Sequence, residues 1–543
     1  MPSFFCRSRR RLLLAGMLCL TLSASPALAA WSPPLPEGVE PQVLLITDES
    51  LAEAWQDFAV FKTRLGRPTT ILTVQEIDAE YEGDDIQQKI RAAVQDYIEN
   101  HGSKYIVLGG DSAPGTWPQG GGLVPDRDTV HRAMRYRDIP TDLYYLSPGD
   151  NDWDANANGV YGEWPADMEA VAYTHPSGAS IGRIPVRTAE DVAAYTDKVV
   201  DYETNYPAGD FAEGLIYSNT VDGSEPKVRR SWDDYVSNIW PQGEVFRFYH
   251  TETYWDEDET GDYALNTEHW LDVINNQTAG KMHMHGHGML GFWVLEDDGG
   301  HTLADQSIVD RLTNGDAYLV MTTVSCFTGQ YDGRDDPSIT ESMLRAPNRG
   351  AVAILAPSRE GVPIFHNPRE DFRLMVEEGK LDGTTESMTR YWMAGLSPTD
   401  DGSYRTLGEA FITMKGEMAE HAVQTAGYHW CQCELSFLGD PTLDMRANAV
   451  VTPEVGCVLA IPGRGVGGVT YGFTTDLRTP MHATACVWNG DDVYVVVPIG
   501  DDGKFNVWLP ENSGSDWTVT VSGPSLNAVT LEQSDIRSEQ DTQ

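Results

Sequence analysis

The chain has 543 residues, and 82 Asp and Glu against 38 Lys and Arg give a net charge of −44. Such an acidic surface repels nucleic acid and anionic lipid, so we expect neither as a partner. A hydrophobic content of 41% is too high for a disordered chain, and the length predicts several domains that each bury their own core.

Residues 1–29 have the pattern of a bacterial export signal. Arg7 and Arg9–Arg11 precede the apolar run Leu12–Leu22, and Ala27–Ala29 supplies small residues for a cleavage site. The apolar run is too short to remain as an anchor, and no later stretch reaches 18 apolar residues. The arginine cluster leaves the general and the twin-arginine export routes open. We therefore predict a secreted or periplasmic protein without a membrane anchor.

Strand-like and helix-like patterns alternate in residues 30–212 and again in residues 213–447. This order predicts two α/β subdomains with open parallel sheets. In residues 448–543, short alternating runs are separated by Gly, Pro and Asn-Gly or Asp-Gly turns, which is typical of a small β-sandwich. The predicted strands include 43–46, 69–74, 105–108, 181–186, 214–217, 245–249, 317–324, 351–356, 494–497 and 517–521, and the predicted helices are 51–65, 85–100, 189–202, 228–240, 269–277, 338–344 and 407–421.

Five cysteines follow the predicted cleavage site: Cys326, Cys431, Cys433, Cys457 and Cys486. Exported proteins fold in an oxidising compartment, so the odd number predicts two disulfides and one free thiol. Cys326 lies far in sequence from the other four and is the expected free thiol. A bond within Cys431-Gln432-Cys433 would be strained, and the pairing stays open.

Two predicted strands end in reactive side chains. The segment Lys281–Gly288 carries the glycine-flanked His287 near its end, and the segment Tyr318–Cys326 ends in Cys326. Reactive groups gather beyond the carboxyl ends of parallel strands, so neighbouring strands would present this imidazole and this thiol to one cleft. A cysteine nucleophile needs thiolate character and a proton donor for the leaving amine. Gly288 lacks a Cβ, which would let a substrate approach its N–H as an oxyanion donor.

Three segments, in order, resemble the gingipain-type cysteine peptidases of family C25, in the caspase-like clan: Gly286–Gly288, Ser325–Gly329 and Phe437–Pro441. The resemblance spans about residues 40–445. It implies caspase-like subdomains, an immunoglobulin-like domain after them, and an endopeptidase that acts on protein or peptide substrates through a thioester acyl-enzyme. The implied nucleophile is Cys326, with His287 as its partner and the N–H groups of Gly288 and Cys326 as the oxyanion hole. We expect a monomer. Further matching segments are Thr141–Tyr145, Ile181–Val186 and Gly350–Ile354.

The resemblance also implies an acidic residue that orients the histidine, at the end of an earlier strand. The matching strand leads to Asp222, for which a turn residue is the alternative reading. The primary specificity pocket would follow the same strand. Glu225 would select a basic substrate side chain, whereas Arg229 or Arg230 would select an acidic one, and the choice stays open.

Residues 152–163 place oxygen-bearing side chains at every second position, followed by a glycine. This is the beginning of an EF-hand-like calcium loop, and we expect a structural calcium ion. Counted from Asp154, Pro165 stands where the bidentate glutamate would be, so Glu163 would replace it in a shorter loop. The alternative is an Asx-rich turn without metal. The predicted ligands are Asp152, Asp154, Asn156, Asn158, Val160 through its carbonyl, and Glu163.

Two other functions stay open. His283, His285 and His287 alternate along a strand and would face one side, which is how the site of a zinc hydrolase can begin. The second alternative is a calcium-stabilised binding or adhesion module that has lost catalysis. The presence of both Cys326 and His287 argues against this module.

Overall fold

The computed structural model describes most of the chain between residues 31 and 535. The predicted export signal at 1–29 and the predicted helix at 228–240 lie outside the described residues. Within them, no helix is both long and apolar enough to cross a bilayer. The described residues are 31–112, 122–149, 151, 153–171, 178–207, 214–218, 245–249, 263–264, 266–276, 280–297, 300–315, 317–333, 337–361, 388–389, 392, 395–396, 399, 403–424, 426–446, 449–462, 467–477, 482–511, 513–514 and 516–535.

The described elements are a mixture of strands and helices up to residue 439 and are almost entirely strands after it. The strands are β1 (Val43–Thr47), β2 (Thr69–Thr73), β3 (Tyr105–Gly109), β4 (Arg127–His131), β5 (Tyr136–Thr141), β6 (Ser180–Ile184), β7 (Gly214–Ser218), β8 (Val245–Tyr249), β9 (Tyr263–Ala264), β10 (Lys281–His285), β11 (Gly288–Met289), β12 (Phe292–Asp297), β13 (Gly300–Ala304), β14 (Leu319–Thr323), β15 (Ala351–Pro357), β16 (Leu435–Gly439), β17 (Val455–Pro462), β18 (Gly468–Thr475), β19 (Thr484–Asn489), β20 (Val493–Pro498), β21 (Lys504–Pro510), β22 (Thr518–Ser522) and β23 (Val529–Glu532). The helices are α1 (Gln56–Arg64), α2 (Val74–Glu80), α3 (Ile86–Asn100), α4 (Met168–Val171), α5 (Ala189–Thr204), α6 (Thr267–Asn276), α7 (Gln306–Val309), α8 (Ile339–Arg345), α9 (Leu407–Ala422) and α10 (Ala426–Glu434).

The predicted α/β class is confirmed, but the two predicted α/β subdomains share one eleven-stranded sheet and do not have separate sheets. Its strand order is β2-β1-β3-β6-β16-β15-β14-β10-β7-β8-β9, and β15–β16 is an antiparallel pair among parallel ones. Strands such as β1, β3 and β14 are buried along their whole length, as a sheet covered on both faces requires. The helices α2, α5, α8 and α9 each begin with a Ser or Thr capping box, which satisfies their first N–H groups.

The strand β16 lies where the two subdomains meet. It pairs in parallel with β6 of the first subdomain, and antiparallel with β15 of the second. The following Asp440 is buried, and its carboxylate forms an ion pair with Lys62 (2.6 Å) that also includes Glu203. Its N–H donates to Tyr195 Oη (2.8 Å). The Phe-Leu-Gly-Asp-Pro segment therefore has a structural role that joins the subdomains.

The C-terminal region is a β-sandwich of two antiparallel sheets, β17-β18-β21 and β20-β19-β22-β23. Side chains from both sheets form one buried core, among them Phe473, Val507, Val487 and Val519. The sandwich is attached to the first α/β subdomain by hydrogen bonds between the N–H of Ala528 and Glu203 O (2.7 Å) and between Trp488 Nε1 and Pro34 O (3.2 Å).

The prediction of two disulfides is wrong, because Cys326 and the four cysteines after it are all free thiols in the structure. Cys431 and Cys433 lie two residues apart on α10, so their side chains point in different directions. Both are buried. Cys486 points from β19 toward the first subdomain, with its Sγ 3.6 Å from Thr63 O. An odd number of cysteines after a predicted export signal therefore did not indicate pairing here.

Candidate active site

The segments that carry His287 and Cys326 leave the same edge of the sheet. The strand β10 is the parallel neighbour of β14, and the N–H of Val324 continues their pairing by donating to Met284 O (3.0 Å). Both segments therefore emerge side by side at the carboxyl ends of the strands, which is where open α/β sheets carry their sites.

Gly288 packs directly against the turn that contains Cys326. A Cβ at Gly288 would lie 2.7 Å from Ser325 Cβ, 2.7 Å from Thr328 Cγ2 and 3.2 Å from Cys326 O. No larger residue fits this position without movement of its neighbours. The structure thus brings the histidine segment and the cysteine turn together.

The turn after Cys326 is held by several hydrogen bonds. Phe327 has φ of 60°, a left-handed conformation that few residues other than glycine adopt. Its N–H donates to Arg359 O (2.7 Å), and Thr328 Oγ1 donates to Ser325 O (2.7 Å). These bonds fix the direction in which the cysteine side chain leaves the backbone.

The thiol of Cys326 is half-buried and lies near a backbone carbonyl. Its Sγ is 3.8 Å from Gly361 O, toward which the S–H donates. Burial raises the pKa of Cys326, and the carboxylates of Glu360 and Glu434 add to this, while the bond to Gly361 opposes it. The resting group is therefore a protonated thiol that needs a base to become a nucleophile.

His287 differs from the two histidines that precede it. Its side chain is exposed, whereas His283 and His285 are buried within β10. His283 Nδ1 is 2.7 Å from Thr322 Oγ1, a contact inside the sheet. Over the described part of the chain, no three His, Cys, Asp or Glu side chains gather as the site of a zinc hydrolase would need. Of the three histidines, His287 is therefore accessible to solvent, and the other two lie in the core.

Residues 37–446, about three quarters of the chain, match peptidase family C25. The chain belongs to peptidase family C25. The predicted family and enzyme class are confirmed, and the protein is a cysteine-type endopeptidase.

Two solved structures share the fold of this C25 peptidase. The crystal structure of the Arg-specific cysteine proteinase gingipain R is 18% identical, with a TM-score of 0.64, over 92% of this chain and 99% of that chain. A structure described only as a protease is 16% identical, with a TM-score of 0.59, over 91% of this chain and 96% of that chain. No curated protein matches the chain.

Several predicted site residues of the C25 peptidase lie outside the described residues. Four of them follow β7, which pairs with β10 on the side away from β14. The structure therefore places Gly288, the residue after His287, against the Cys326 turn and does not describe the predicted orienting and specificity residues. The residues outside the described part are Asp222, Glu225, Arg229 and Arg230, together with Asp152 of the predicted calcium loop.

The predicted calcium loop is closed by its own hydrogen bonds. The Asp154 carboxylate accepts the N–H groups of Asn158 (2.9 Å) and Gly159 (2.8 Å). Glu163 accepts from Asn158 Nδ2 (3.0 Å) and forms an ion pair with Arg132, which lowers the pKa of Glu163. The oxygen donors fit calcium in kind, but Arg132 would have to release Glu163 for that carboxylate to become a ligand.

Sequence reasoning missed a group of residues on the other side of Cys326. Tyr136 on β5 approaches Phe327 (ring centroids 6.4 Å) and Trp430 (5.2 Å). Its hydroxyl donates to Glu360 Oε1 (3.0 Å). The alternating residues of the β4–β5 hairpin were the available signal, inside a stretch that otherwise has the composition of loops.

Proposed function

We propose that this C25 peptidase cleaves peptide bonds with Cys326 as nucleophile and His287 as general base and acid. The supporting observation is the packing of Gly288 against the Cys326 turn, which leaves no room for a methyl group. This contact aligns a histidine segment and a cysteine turn at one sheet edge. The accessible imidazole of His287 and the protonated thiol supply the two groups that thiol catalysis needs.

The proposed reaction has two stages. His287 removes the thiol proton, and the thiolate attacks the scissile carbonyl to form a tetrahedral oxyanion. The N–H groups of Gly288 and Cys326 donate to this oxyanion, and His287 then protonates the leaving amine. Water, deprotonated by His287, hydrolyses the resulting thioester and restores the thiol.

Substrate choice and the orientation of His287 belong to the same proposal. Asp222 would orient the imidazole, while Glu225 or the pair Arg229 and Arg230 would line the primary pocket. We also propose that residues 1–29 direct export. Amino-terminal sequencing of protein recovered from the medium would test the cleavage after residue 29.

The catalytic proposal is tested with protein that begins at residue 30. Wild type, Cys326→Ala, His287→Ala and the control Cys457→Ala are incubated with a diverse peptide mixture and calcium, and the products are sequenced. We expect cleavage by wild type and Cys457→Ala, none by Cys326→Ala, and at least about 100-fold slower cleavage by His287→Ala. Equal cleavage by Cys326→Ala would contradict the mechanism, and no cleavage by any form would favour the binding module.

We further propose that residues 152–163 bind one structural calcium ion. The support is the Asp154 carboxylate, which already holds the loop in a closed form by accepting two N–H groups. The ion would be held by oxygen atoms of this loop, with Asp154, Asn156 and Asn158 as the side-chain donors. It would stabilise the first subdomain and take no part in the reaction.

A further inference from the structure

Glu360 lies beside the nucleophile and follows a different strand from the one that the predicted specificity residues follow. It follows β15, which neighbours β14 on the side opposite β10. The next residue, Gly361, packs on the end of β14, because a Cβ there would lie 2.0 Å from Val324 O. The predicted primary pocket follows β7, beyond β10. In the sheet, β14 and β10 therefore lie between β15, which leads to Glu360, and β7.

Both the backbone and the side chain of Glu360 are held in place. Trp430 Nε1 donates to Glu360 O (2.9 Å), and Tyr136 Oη donates to Glu360 Oε1 (3.0 Å). The residue is exposed, whereas Trp430 is fully buried. These two hydrogen bonds hold Glu360 in place while its carboxylate faces solvent. The carboxylate is close enough to Cys326 to raise the pKa of the thiol.

The charge of Glu360 is not neutralised by the arginine next to it in sequence. Arg359 is buried and paired with Asp332 (2.6 Å), and it donates to Asp138 O. Among the described residues, Glu360 forms no ion pair. An exposed carboxylate beside a nucleophile that no described cation neutralises is suited to bind a cation of the substrate.

Aromatic side chains adjoin this carboxylate. The rings of Tyr136 and Trp430 are 5.2 Å apart, and Tyr136 lies 6.4 Å from Phe327, the residue after the nucleophile. Tyr136 and Phe327 are half-buried, so part of each remains accessible. Aromatic and apolar surface next to a carboxylate is complementary to the methylene stem and charged end of lysine or arginine.

We propose that Glu360, positioned by Tyr136, forms a second specificity subsite that accepts a positively charged substrate side chain on the β15 side of Cys326. This inference rests on the proposed function, because it assigns a substrate contact near its nucleophile. The side chain that it takes belongs to a different substrate residue from the one read by the pocket after β7.

Paired peptide libraries test this subsite. Each position in turn carries lysine or norleucine, which keeps most of the apolar stem but lacks the ammonium group, and kcat/KM is compared for wild type, Glu360→Gln and the surface control Glu511→Gln. At one position we expect the ratio of kcat/KM for the lysine peptide to kcat/KM for the norleucine peptide to fall about tenfold in Glu360→Gln. The same ratio should stay unchanged in Glu511→Gln. Glu360→Lys should favour glutamate at that position, and Tyr136→Phe should weaken the lysine preference there. An unchanged ratio at every position in Glu360→Gln would overturn the subsite.

A binding measurement separates this inference from the catalytic proposal. Fluorescence anisotropy records binding of the same peptides to Cys326→Ala and to Cys326→Ala with Glu360→Gln, neither of which can form a thioester. Loss of lysine-dependent binding only in the double variant supports the subsite, even if wild type cleaves no peptide and the catalytic proposal fails. Cleavage by wild type with equal lysine-dependent binding by both variants would overturn the subsite alone.

Discussion

The Cα atom of Gly288 faces the backbone of Cys326 so closely that a Cβ would lie 3.2 Å from the Cys326 carbonyl oxygen. The same methyl group would meet the side chains of Ser325 and Thr328 at 2.7 Å. Contacts this short force a displacement of the turn or of the histidine segment. The distance between the proposed oxyanion donors and the thiol therefore depends on the absence of a side chain at Gly288.

Gly288→Ala should lower kcat/KM by about 100-fold or more, because a shift of about 1 Å in a reacting group has an effect of this size. The matched control is Gly291→Ala, since a Cβ at Gly291 meets no atom within 4 Å. Peptide cleavage and thermal unfolding are measured for both. Equal activity of the two variants would show that the Gly288 contact does not position the site.

Titration with a thiol reagent in denaturant, without reductant, should find five thiols per chain in protein that begins at residue 30. The reason is that all five cysteines of the described chain are free. A value of one would restore the two disulfides inferred from composition. Under native conditions Cys326 should react before Cys431 and Cys433, because the latter are fully buried.

Acid should destabilise the contact between the β4–β5 hairpin and α10. Burial lowers the pKa of His429 to about 3 and also lowers that of His131, whose Nε2 lies 2.9 Å from Ala426 O. Both are neutral in the folded protein, whereas the unfolded chain binds protons below about pH 6.5. The contribution of His429 to stability is therefore complete above that pH and is lost as the pH falls toward 3, and the contribution of His131 is lost in the same direction.

His429→Gln removes one of these titrations. Between pH 6 and 4 we expect the free energy of unfolding to fall less steeply than in wild type, by up to about 1.4 kcal/mol per pH unit. Urea unfolding at several pH values measures the difference, and the comparison cancels the titration of groups that both proteins share. Parallel pH curves for the two proteins would contradict the assignment.

Calcium should raise the melting temperature of wild type by several degrees, since a ligand that binds only the folded state stabilises it. Asp154→Ala should lose this increase, and the surface control Asp491→Ala should keep it. Differential scanning calorimetry with calcium or with a chelator provides the measurement. If calcium has no effect on wild type, the loop is closed by the Asp154 hydrogen bonds and the Arg132–Glu163 ion pair alone.

Local patterns predicted the elements better than their arrangement. The strand expected at 43–46 is Val43–Thr47, and the helix expected at 85–100 is Ile86–Asn100. The helix expected at 51–65 begins only at Gln56, because residues 51–55 form turns. The position of β16 was not predictable, since its neighbours Arg183 and Leu355 are far from it in sequence and no local pattern specifies such pairing.

The candidate site was predictable where reactive residues follow strands. Cys326 and His287 follow strand ends, and His287 lies between two glycines, so both residue type and position indicated them. Glu360 also follows a strand, but no pattern distinguishes it from other surface acids. Tyr136 reaches it from a hairpin more than 200 residues earlier, and only the folded chain shows that contact.

The central position of β16 has a consequence for how the protein is made. When residue 357 has been translated, β6 and β15 are both complete. The strand that pairs with both of them, β16, is the last of the eleven strands of the sheet to be translated. Until Leu435–Gly439 emerges, each half of the sheet has an open edge that can pair with another chain. Contacts between residues so far apart in sequence also form slowly. We therefore expect nascent chains that stop before residue 435 to aggregate.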